Sequence, residues 1–338
     1  AILAQASAPS FDPAHRDKIT LDQMRNPAVQ DVYEPGSTGK VITVAAALEQ
    51  GTTTPTTVYT IPNTFKAGGR VFHDDKNHPT EHLTTAGVLA VSSNIGAIQI
   101  GSAIAPDTFY SFLQKFGIGQ STGSNLPGES AGILHPVSQW SASSAPTITF
   151  GQGYSVTAMQ ATDVFATVAN NGVRVTPNVV AGTVAPDGTY TPSKPSEQVQ
   201  VISADTAQKI RTMLEGVVSN EGTAPAAEIP GYKVAGKTGT AMRVDPKCGC
   251  YRGYTASFIG MAPAEAPKYV VSVVIQNPQG MHFGGEIAAP VFKQVMSFVL
   301  QAKEVQPVPS TLPAYPLTQA ALLKSQVISS KSVLVKSK

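Results

Sequence analysis

Two observations predict an α+β fold for this sequence. Long apolar runs free of Gly and Pro, with small polar residues at their starts, recur through the first two thirds of the chain and are typical of helices. Beyond Gly231 the pattern changes to β-branched and aromatic runs with short connections, which indicates an antiparallel meander. No internal repeat is present.

Composition narrows the function classes. The chain has 338 residues, of which 42% are hydrophobic and 14% charged, and its net charge is +2. Such a chain can bury a large core in one or two domains. The low charge and the lack of basic runs argue against a nucleic-acid partner, and no apolar run is long enough to span a bilayer. No motif implies a metal or an organic cofactor.

The chain begins with an extended segment and reaches its first long helix at Ser37. Residues 1–10 are predicted to form a strand, which a Pro-containing turn at residues 11–13 ends. The Ala- and Leu-rich run that follows Ser37, without Gly or Pro until Gly51, predicts a buried helix. On this helix Lys40 lies one turn after Ser37, on the same face.

This S-x-x-K spacing suits an activated serine. A serine hydroxyl is a weak nucleophile that needs a neighbouring base. Lys40 can be that base if burial and a second cation lower its pKa from the ordinary value of about 10.4. The helix N-terminus also offers free N–H groups to an oxyanion. The alternative is that Ser37 only caps the helix.

A group of metal-ligand residue types follows between residues 73 and 82. The members are His73, Asp74, Asp75, His78, Glu81 and His82. Their spacing does not place two histidines one helical turn apart beside a carboxylate, and nearby Asn and Pro residues favour a loop. The prediction is a solvated loop without a metal.

Ser92, Ser93 and Asn94 lie between two apolar helical runs, at residues 86–91 and 95–104. Packing does not require three small polar residues at such a place. They could cap the second helix. Alternatively, they could form a second polar wall of an active site beside Ser37.

The remaining helices and strands have clear start and stop signals. Thr157 and Gln160 match a capping box, and Ser203 is predicted to cap a helix that runs to about residue 218. Three strands are predicted at residues 234–241, 254–261 and 269–276, followed by a helix at residues 287–300.

Lys237, Thr238 and Gly239 fall on the first of these strands. Lys237, with the hydroxyls of Thr238 and Thr240, offers a cation and donors to a carboxylate. Gly239 removes a side chain where a substrate backbone could lie along the strand edge. Alone, K-T-G could equally be a surface turn.

Together, in this order and in these contexts, S-x-x-K, S-x-N and K-T-G are the signature of penicillin-binding proteins and class A β-lactamases. From residue 1 to about 302 the chain resembles the transpeptidase domain of class B penicillin-binding proteins, and of their division-type members in particular. Further similar segments are residues 33–37, 126–129, 151–154, 235–241 and 284–292.

The resemblance implies a β-lactamase/transpeptidase-like fold, with a five-stranded antiparallel sheet flanked by helices and a largely helical subdomain. It also implies one catalytic domain at residues 1–302, with residues 303–338 as a Pro-containing extension of unknown role. The resemblance further implies attachment to the cell membrane with the catalytic domain on the extracytoplasmic side, and the anchor is expected to be absent from this chain.

The same resemblance implies the activity and the role of each residue. A serine-type D,D-transpeptidase would acylate Ser37 with a peptidoglycan stem peptide and release D-alanine, with Lys40 as base. Ser92 would pass the proton to the departing amine, and Asn94 would hold Lys40. Substrate would bind at Lys237, Thr238, Gly239 and Thr240. β-Lactams would acylate the same serine, and a membrane glycan polymerase and divisome proteins would be partners.

Other interpretations remain open at this point. A class A β-lactamase needs a deacylating Glu, and no suitable E-x-x-x-N segment lies between the second and third motifs. A D,D-carboxypeptidase shares the motifs, and a β-lactam sensor or an inactive scaffold would bind without turnover. Cys248 and Cys250, separated by one glycine, could be bridged or free.

Overall fold

The computed structural model describes residues 1–15, 17, 19–245, 248–307 and 314–336, and for residues 329–336 it describes the main chain alone. The helices are α1 (Pro27–Gln30), α2 (Lys40–Glu49), α3 (Thr85–Val91), α4 (Asn94–Gly101), α5 (Pro106–Lys115), α6 (Ser144–Thr149), α7 (Ala158–Ala169), α8 (Ala204–Val218), α9 (Gly284–Ile287), α10 (Ala289–Ala302) and α11 (Gln319–Lys336). The strands are β1 (Val58–Ile61), β2 (Phe65–Ala67), β3 (Arg70–Phe72), β4 (Glu81–Thr84), β5 (Val173–Val175), β6 (Gly182–Val184), β7 (Tyr190–Pro192), β8 (Gln198–Gln200), β9 (Ala235–Asp245), β10 (Cys250–Ala262) and β11 (Tyr269–Gln276).

The central sheet is the predicted meander. Its strand order is β11-β10-β9, both pairings are antiparallel, and β9 lies at an edge. Within the described residues this sheet has three strands, whereas the resemblance implied five. Four two-stranded sheets lie elsewhere in the described chain: β1 with β4, β2 with β3, β5 with β8, and β6 with β7.

Helices pack on this sheet and form the core with it. α7, α8 and α10 contact its strands, and the rings of Phe258 and Phe292 meet edge to face at 4.7 Å between β10 and α10. The apolar face of α8 is buried, as Ile210 and Leu214 are both 0% exposed. The α+β fold predicted from the sequence is confirmed.

The helix-start signals are confirmed where a side chain closes the first turn. The hydroxyl of Thr84 accepts a hydrogen bond from Gly87 N at 3.0 Å, and that of Ser203 accepts one from Thr206 N at 3.1 Å. Thr157 and Gln160 form both bonds of a capping box. Each cap satisfies a donor that the helix itself leaves free.

The predicted strand at residues 1–10 is wrong. A strand requires a ladder of hydrogen bonds with a neighbour. In the described structure, the backbone of this segment makes a single such bond, from Ile2 N to Asn178 O at 3.2 Å. The segment is extended and exposed because no neighbouring strand pairs with it.

Residues 314–318 return to the helical part of the molecule. Thr84 N donates to Leu317 O at 3.0 Å, and the Thr84 hydroxyl donates to Pro316 O at 2.6 Å. A methyl group built on Gly87 would lie 1.9 Å from Leu317 O, so only glycine permits this approach. We call residues 314–318 the C-terminal strap.

No helix among the described residues combines the length and the apolar character that a membrane crossing requires.

Candidate active site

Ser37 lies in a tight turn that leads directly into α2. Residues Gly36–Gly39 form a single 3₁₀ turn, and the N–H of Lys40 donates to the carbonyl groups of Ser37 and Thr38. In a 3₁₀ turn, side chains three residues apart are eclipsed. Ser37, which is half-buried, and Lys40, which is 0% exposed, therefore lie on the same side of the chain. The prediction holds, except that the α-helix begins at Lys40.

A neighbouring segment, residues 151–156, holds this turn in place. Gly36 N donates to Gly151 O at 2.8 Å, and Tyr33 and Val156 exchange two backbone hydrogen bonds of 2.9 Å. Gly151 has φ +87°, and a methyl group built on it would lie 1.8 Å from Gly36 O. Only glycine allows the two backbones to approach this closely.

Glu34 connects this segment to a third one. Its carboxylate accepts a hydrogen bond from Gly153 N at 2.9 Å and lies 3.3 Å from the Tyr251 hydroxyl on β10. Burial raises the pKa of Glu34, while these two donors oppose the rise. In the sequence, Glu34 belongs only to a segment that carries the family resemblance, and no local signal predicts its contact with Tyr251.

The Ser92–Asn94 triplet both caps helix α4 and lines the candidate site beside Lys40. Ser92 ends α3 with φ 65°, and the hydroxyl of Ser93 caps α4 by accepting from Gly96 N at 2.9 Å. Lys40 Nζ donates to Ser92 O at 2.5 Å and to Asn94 Oδ1 at 2.7 Å, and it lies 3.3 Å from Ser92 Oγ. The structure therefore brings the first and second motifs together.

The third motif reaches the same hydroxyl from the sheet. Lys237 Nζ donates to Ser92 Oγ at 2.9 Å and lies 3.3 Å from Thr238 Oγ1. The hydroxyls of Thr238 and Thr223 are 2.8 Å apart, and Thr240 Oγ1 accepts from Gly284 N at 3.1 Å. The Ser92 hydroxyl thus lies between two lysine amines.

Glycine is required at residue 239 for a structural reason that differs from the predicted one. A methyl group built on it would lie 2.3 Å from Ser257 Oγ, 3.1 Å from Pro35 O and 3.2 Å from Thr38 Cγ2. The space beside Gly239 is thus filled by protein atoms, including those of the turn that carries Ser37. The absence of a side chain lets β9 pack against this turn, while the edge position of β9 leaves one side of its backbone free of a strand partner.

Burial changes the protonation of both lysines. It lowers the pKa of Lys40 to about 7, against the opposing charges of Asp74 and Asp75. Burial also lowers the pKa of Lys237 far below its usual range, and the nearby charge of Lys40 adds to this effect. Both amines therefore lose their protons more readily than exposed lysines do.

The loop at residues 73–82 differs from its prediction. Glu81 and His82 belong to β4, and only Asp75 behaves as a solvated acid. The side chain of Asp74 is 13% exposed, and its carboxylate accepts from Ser93 Oγ at 2.7 Å and from Asn94 N at 2.5 Å. Within the described part of the chain, no cluster of three or more His, Cys, Asp or Glu residues could hold a metal ion.

Cys248 and Cys250, which the sequence left open, are bridged to each other. The disulfide lies where the β9–β10 hairpin turns, next to Tyr251.

Comparisons with known proteins agree with this geometry. A family model described as the penicillin binding protein transpeptidase domain matches residues 1–297. Penicillin-binding protein PbpB of Mycolicibacterium smegmatis is 42% identical over 95% of this chain and 51% of its own length. PbpB of Mycobacterium tuberculosis is 40% identical over 90% of this chain and 46% of its own. The chain spans about half the length of these curated relatives.

Two further relatives extend the comparison. Peptidoglycan D,D-transpeptidase FtsI of Escherichia coli K12 is 33% identical over 90% of this chain and 50% of its own length. A crystal structure of penicillin binding protein 3 from Mycobacterium tuberculosis in complex with ampicillin has a TM-score of 0.83 and 39% identity, covering 88% of this chain and 68% of that one. The chain belongs to the penicillin-binding protein transpeptidase family, with class B, division-type members as its relatives.

Proposed function

We propose that this chain is a serine D,D-transpeptidase domain that crosslinks peptidoglycan stem peptides. One observation carries the proposal: Ser92 Oγ lies 2.9 Å from Lys237 Nζ and 3.3 Å from Lys40 Nζ, and Lys40 directly follows the turn of Ser37. A hydroxyl between two amines of lowered pKa can carry a proton from one to the other. Acyl transfer through a serine ester needs such a relay, because a proton leaves the nucleophile and another reaches the departing amine.

In the proposed first half-reaction, neutral Lys40 takes the proton of Ser37 as its oxygen attacks the carbonyl between two D-alanines. The ammonium of Lys40 then returns a proton through Ser92 to the nitrogen of the departing D-alanine. Asn94 holds Lys40 at 2.7 Å and so keeps the amine aimed at the relay. The ester on Ser37 is the product of this step.

The developing oxyanion would be stabilised by the backbone N–H groups of Ser37 and Thr240. Two features support this: N–H groups in the first turn of a helical segment lack intrahelical partners, and β9 is an edge strand. Such a donor contributes about 3 to 4 kcal/mol to the transition state. Lys237, Thr238, Gly239 and Thr240 would bind the terminal carboxylate and the backbone of the substrate.

In the second half-reaction, an amine of a neighbouring stem peptide attacks the ester and forms the crosslink. β-Lactams would acylate Ser37 in the same way, and we propose that the resulting ester is long-lived. Glu129, an acid between the second and third motifs, accepts hydrogen bonds from Thr122 N and Ser121 Oγ, both at 2.8 Å, in its own loop.

The cellular setting belongs to the same proposal. The names of relatives such as FtsI support a role in septal wall synthesis, with the catalytic domain on the outer face of the cell membrane. A membrane glycan polymerase and divisome proteins would be the partners. We also propose residues 1–302 as the catalytic domain, which the family match to residues 1–297 supports, and residues 303–338 as an extension.

The test is covalent labelling by a fluorescent penicillin, with intact-mass measurement of the adduct over several hours. We expect the wild type to label and Ser37→Ala to remain unlabelled. Ser102→Ala, which alters an exposed serine at the end of α4, should label as the wild type does. Equal labelling of Ser37→Ala and wild type would overturn the assignment. Rapid turnover of nitrocefin would instead indicate a β-lactamase.

A further inference from the structure

Asp74 connects an outer loop to the second motif. It lies between β3 and β4, and its Oδ1 accepts hydrogen bonds from Asn94 N at 2.5 Å and from Ile95 N at 3.0 Å. Its Oδ2 accepts from Ser93 Oγ at 2.7 Å and lies 3.3 Å from His78 Nε2. Charge-assisted bonds of this kind are about twice as strong as neutral ones. One carboxylate therefore fixes the start of α4.

These bonds determine where Asn94 points. Its backbone N–H is bound to Asp74, and its side-chain Nδ2 donates to His73 O at 3.3 Å. Oδ1 of Asn94 is thereby left for Lys40 Nζ at 2.7 Å. The loop at residues 73–74 thus holds Asn94 by its main chain and by its side chain.

The triplet requires such support. Ser92 has φ 65°, in the left-handed region that a residue with a side chain adopts only at a cost. Its conformation joins α3 to α4 and aims both its carbonyl and its hydroxyl at Lys40. A strained residue persists only where its surroundings determine its conformation. Asp74 supplies part of these surroundings, because it binds Ser93 and Asn94, the two residues that follow Ser92.

We propose that Asp74 is a positioning residue for the acylation step: its carboxylate holds Ser93 and Asn94 so that Ser92 and Asn94 present their oxygens to Lys40. This inference rests on the proposed function and adds to it a residue outside the three motifs. Asp74 acts through the triplet and does not itself touch the substrate.

The charge of Asp74 has a second, separable effect. The charged groups that face Lys40 are Lys237 on β9 and the loop acids Asp74 and Asp75, with His78 beside Asp74. Both acids oppose the effect of burial on the pKa of Lys40. Removing either charge should therefore lower that pKa further and move the rise of acylation rate to lower pH.

Asp75 provides a matched control. It is exposed and has a charge effect of the same sign on Lys40, and its carboxylate accepts no hydrogen bond from the triplet in the described structure. Asp74→Asn removes the charge and one acceptor oxygen at nearly constant volume, while Asp75→Asn removes a charge alone. The two variants therefore separate positioning from electrostatics.

The experiment measures the second-order rate of acylation of the full chain by a fluorescent penicillin, as a function of pH. We expect Asp74→Asn to lower the high-pH plateau about tenfold or more and to shift the midpoint to lower pH. Asp75→Asn should shift the midpoint in the same direction and keep its plateau within about twofold of wild type. Plateaus that are equal in the two variants would overturn the inference.

A double-variant comparison tests the shared role. Ser93→Ala removes one donor to Asp74 and also the hydroxyl that caps α4 at Gly96 N. The double variant with Asp74→Asn should lose less than the product of the two single losses. Independent, multiplicative losses would contradict a shared role. Melting temperatures show whether each protein is folded at the assay temperature.

The outcomes also separate this inference from the proposed function. If the wild type is not acylated at all, the proposed function fails. If the wild type is acylated and Asp74→Asn has the same plateau, only the role of Asp74 fails.

Discussion

At the residue scale, the site depends on a single hydroxyl. Ser92 Oγ lies within hydrogen-bonding distance of two buried lysine amines that belong to different parts of the fold. A hydroxyl can accept from one amine and donate to another. Burial lowers the pKa of both amines, so each gives up a proton more readily than an exposed lysine does.

This arrangement predicts the pH dependence of acylation. Lys40 must be neutral to take a proton, and burial lowers its pKa to about 7. The rate should therefore rise with pH, reach half its plateau near pH 7 and vary little above about pH 8. Rates of penicillin acylation between about pH 5 and pH 9 check this. A rate independent of pH across this range would show that Lys40 is not the base.

Gly151 allows a prediction with a matched control. Gly151 and Gly188 have nearly equal φ values of +87° and +85°, but a methyl group on Gly151 would lie 1.8 Å from Gly36 O, whereas Gly188 has no neighbour within 4 Å. Gly188→Ala should lower the free energy of unfolding by about 1 to 2 kcal/mol. Gly151→Ala should lower it by about 2 to 5 kcal/mol and slow acylation, because it displaces the turn of Ser37.

Urea unfolding and acylation rates of the two variants check this prediction. Similar losses of stability would mean that backbone strain alone, and not the contact with the nucleophile turn, makes glycine necessary at residue 151.

At the element scale, short elements determine the placement of the site. Three candidate catalytic side chains lie at the ends of elements: Lys40 begins α2, Ser92 follows α3, and Asn94 begins α4. Backbone groups at helix ends lack partners within the helix, so they are available to side chains and to ligands. The edge strand β9 then closes the site from the sheet.

The C-terminal strap is an element whose contribution can be measured. It covers α3 and β4, and Leu317 contacts Gly216 of α8, where a built methyl group would lie 3.1 Å from its side chain. A chain that ends after residue 302 loses these contacts and should melt lower by on the order of 5 °C. A chain that ends after residue 318 keeps them, and since residues 323–328 are exposed it should melt close to the full chain.

Thermal melts of the full chain and of the two shortened chains provide the measurement. Equal melting temperatures for the two shortened chains would show that the strap adds nothing to stability.

At the scale of the whole molecule, a buried lysine of the candidate site lowers the free energy of unfolding. Lys237 is 0% exposed, and burial followed by the charge of Lys40 lowers its pKa far below the usual range. In the unfolded chain the same amine keeps a pKa of about 10.4. Between these two values the unfolded state binds more protons, so the free energy of unfolding rises with pH and the lysine is destabilising at pH 7.

We therefore expect Lys237→Met to raise the melting temperature at pH 7 and to abolish rapid acylation. The gain should shrink toward about pH 10, where the lysine of the unfolded chain also loses its proton. Lys209→Met is the control: this side chain is 38% exposed and paired with Asp205, so no gain is expected. A lower melting temperature of Lys237→Met at pH 7 would show that the hydrogen bonds of the amine outweigh its burial.

The comparison between sequence and structure separates two kinds of feature. Features that depend only on a few neighbouring residues were predictable. Examples are the helix caps of Thr157 and Ser203 and the S-x-x-K spacing at Ser37. The strand predicted at residues 1–10 failed because strand formation depends on a partner that lies elsewhere in the chain.

The sequence by itself determined the family, the helices, the three-stranded meander and the identity of the candidate catalytic residues, because turn chemistry, side-chain period and motif spacing are local properties. Only the tertiary structure decided that Asp74 holds the second motif and that Gly239 makes room for the nucleophile turn. Contacts between residues about 20 positions apart or more depend on how the whole chain packs, and no short stretch of sequence encodes them.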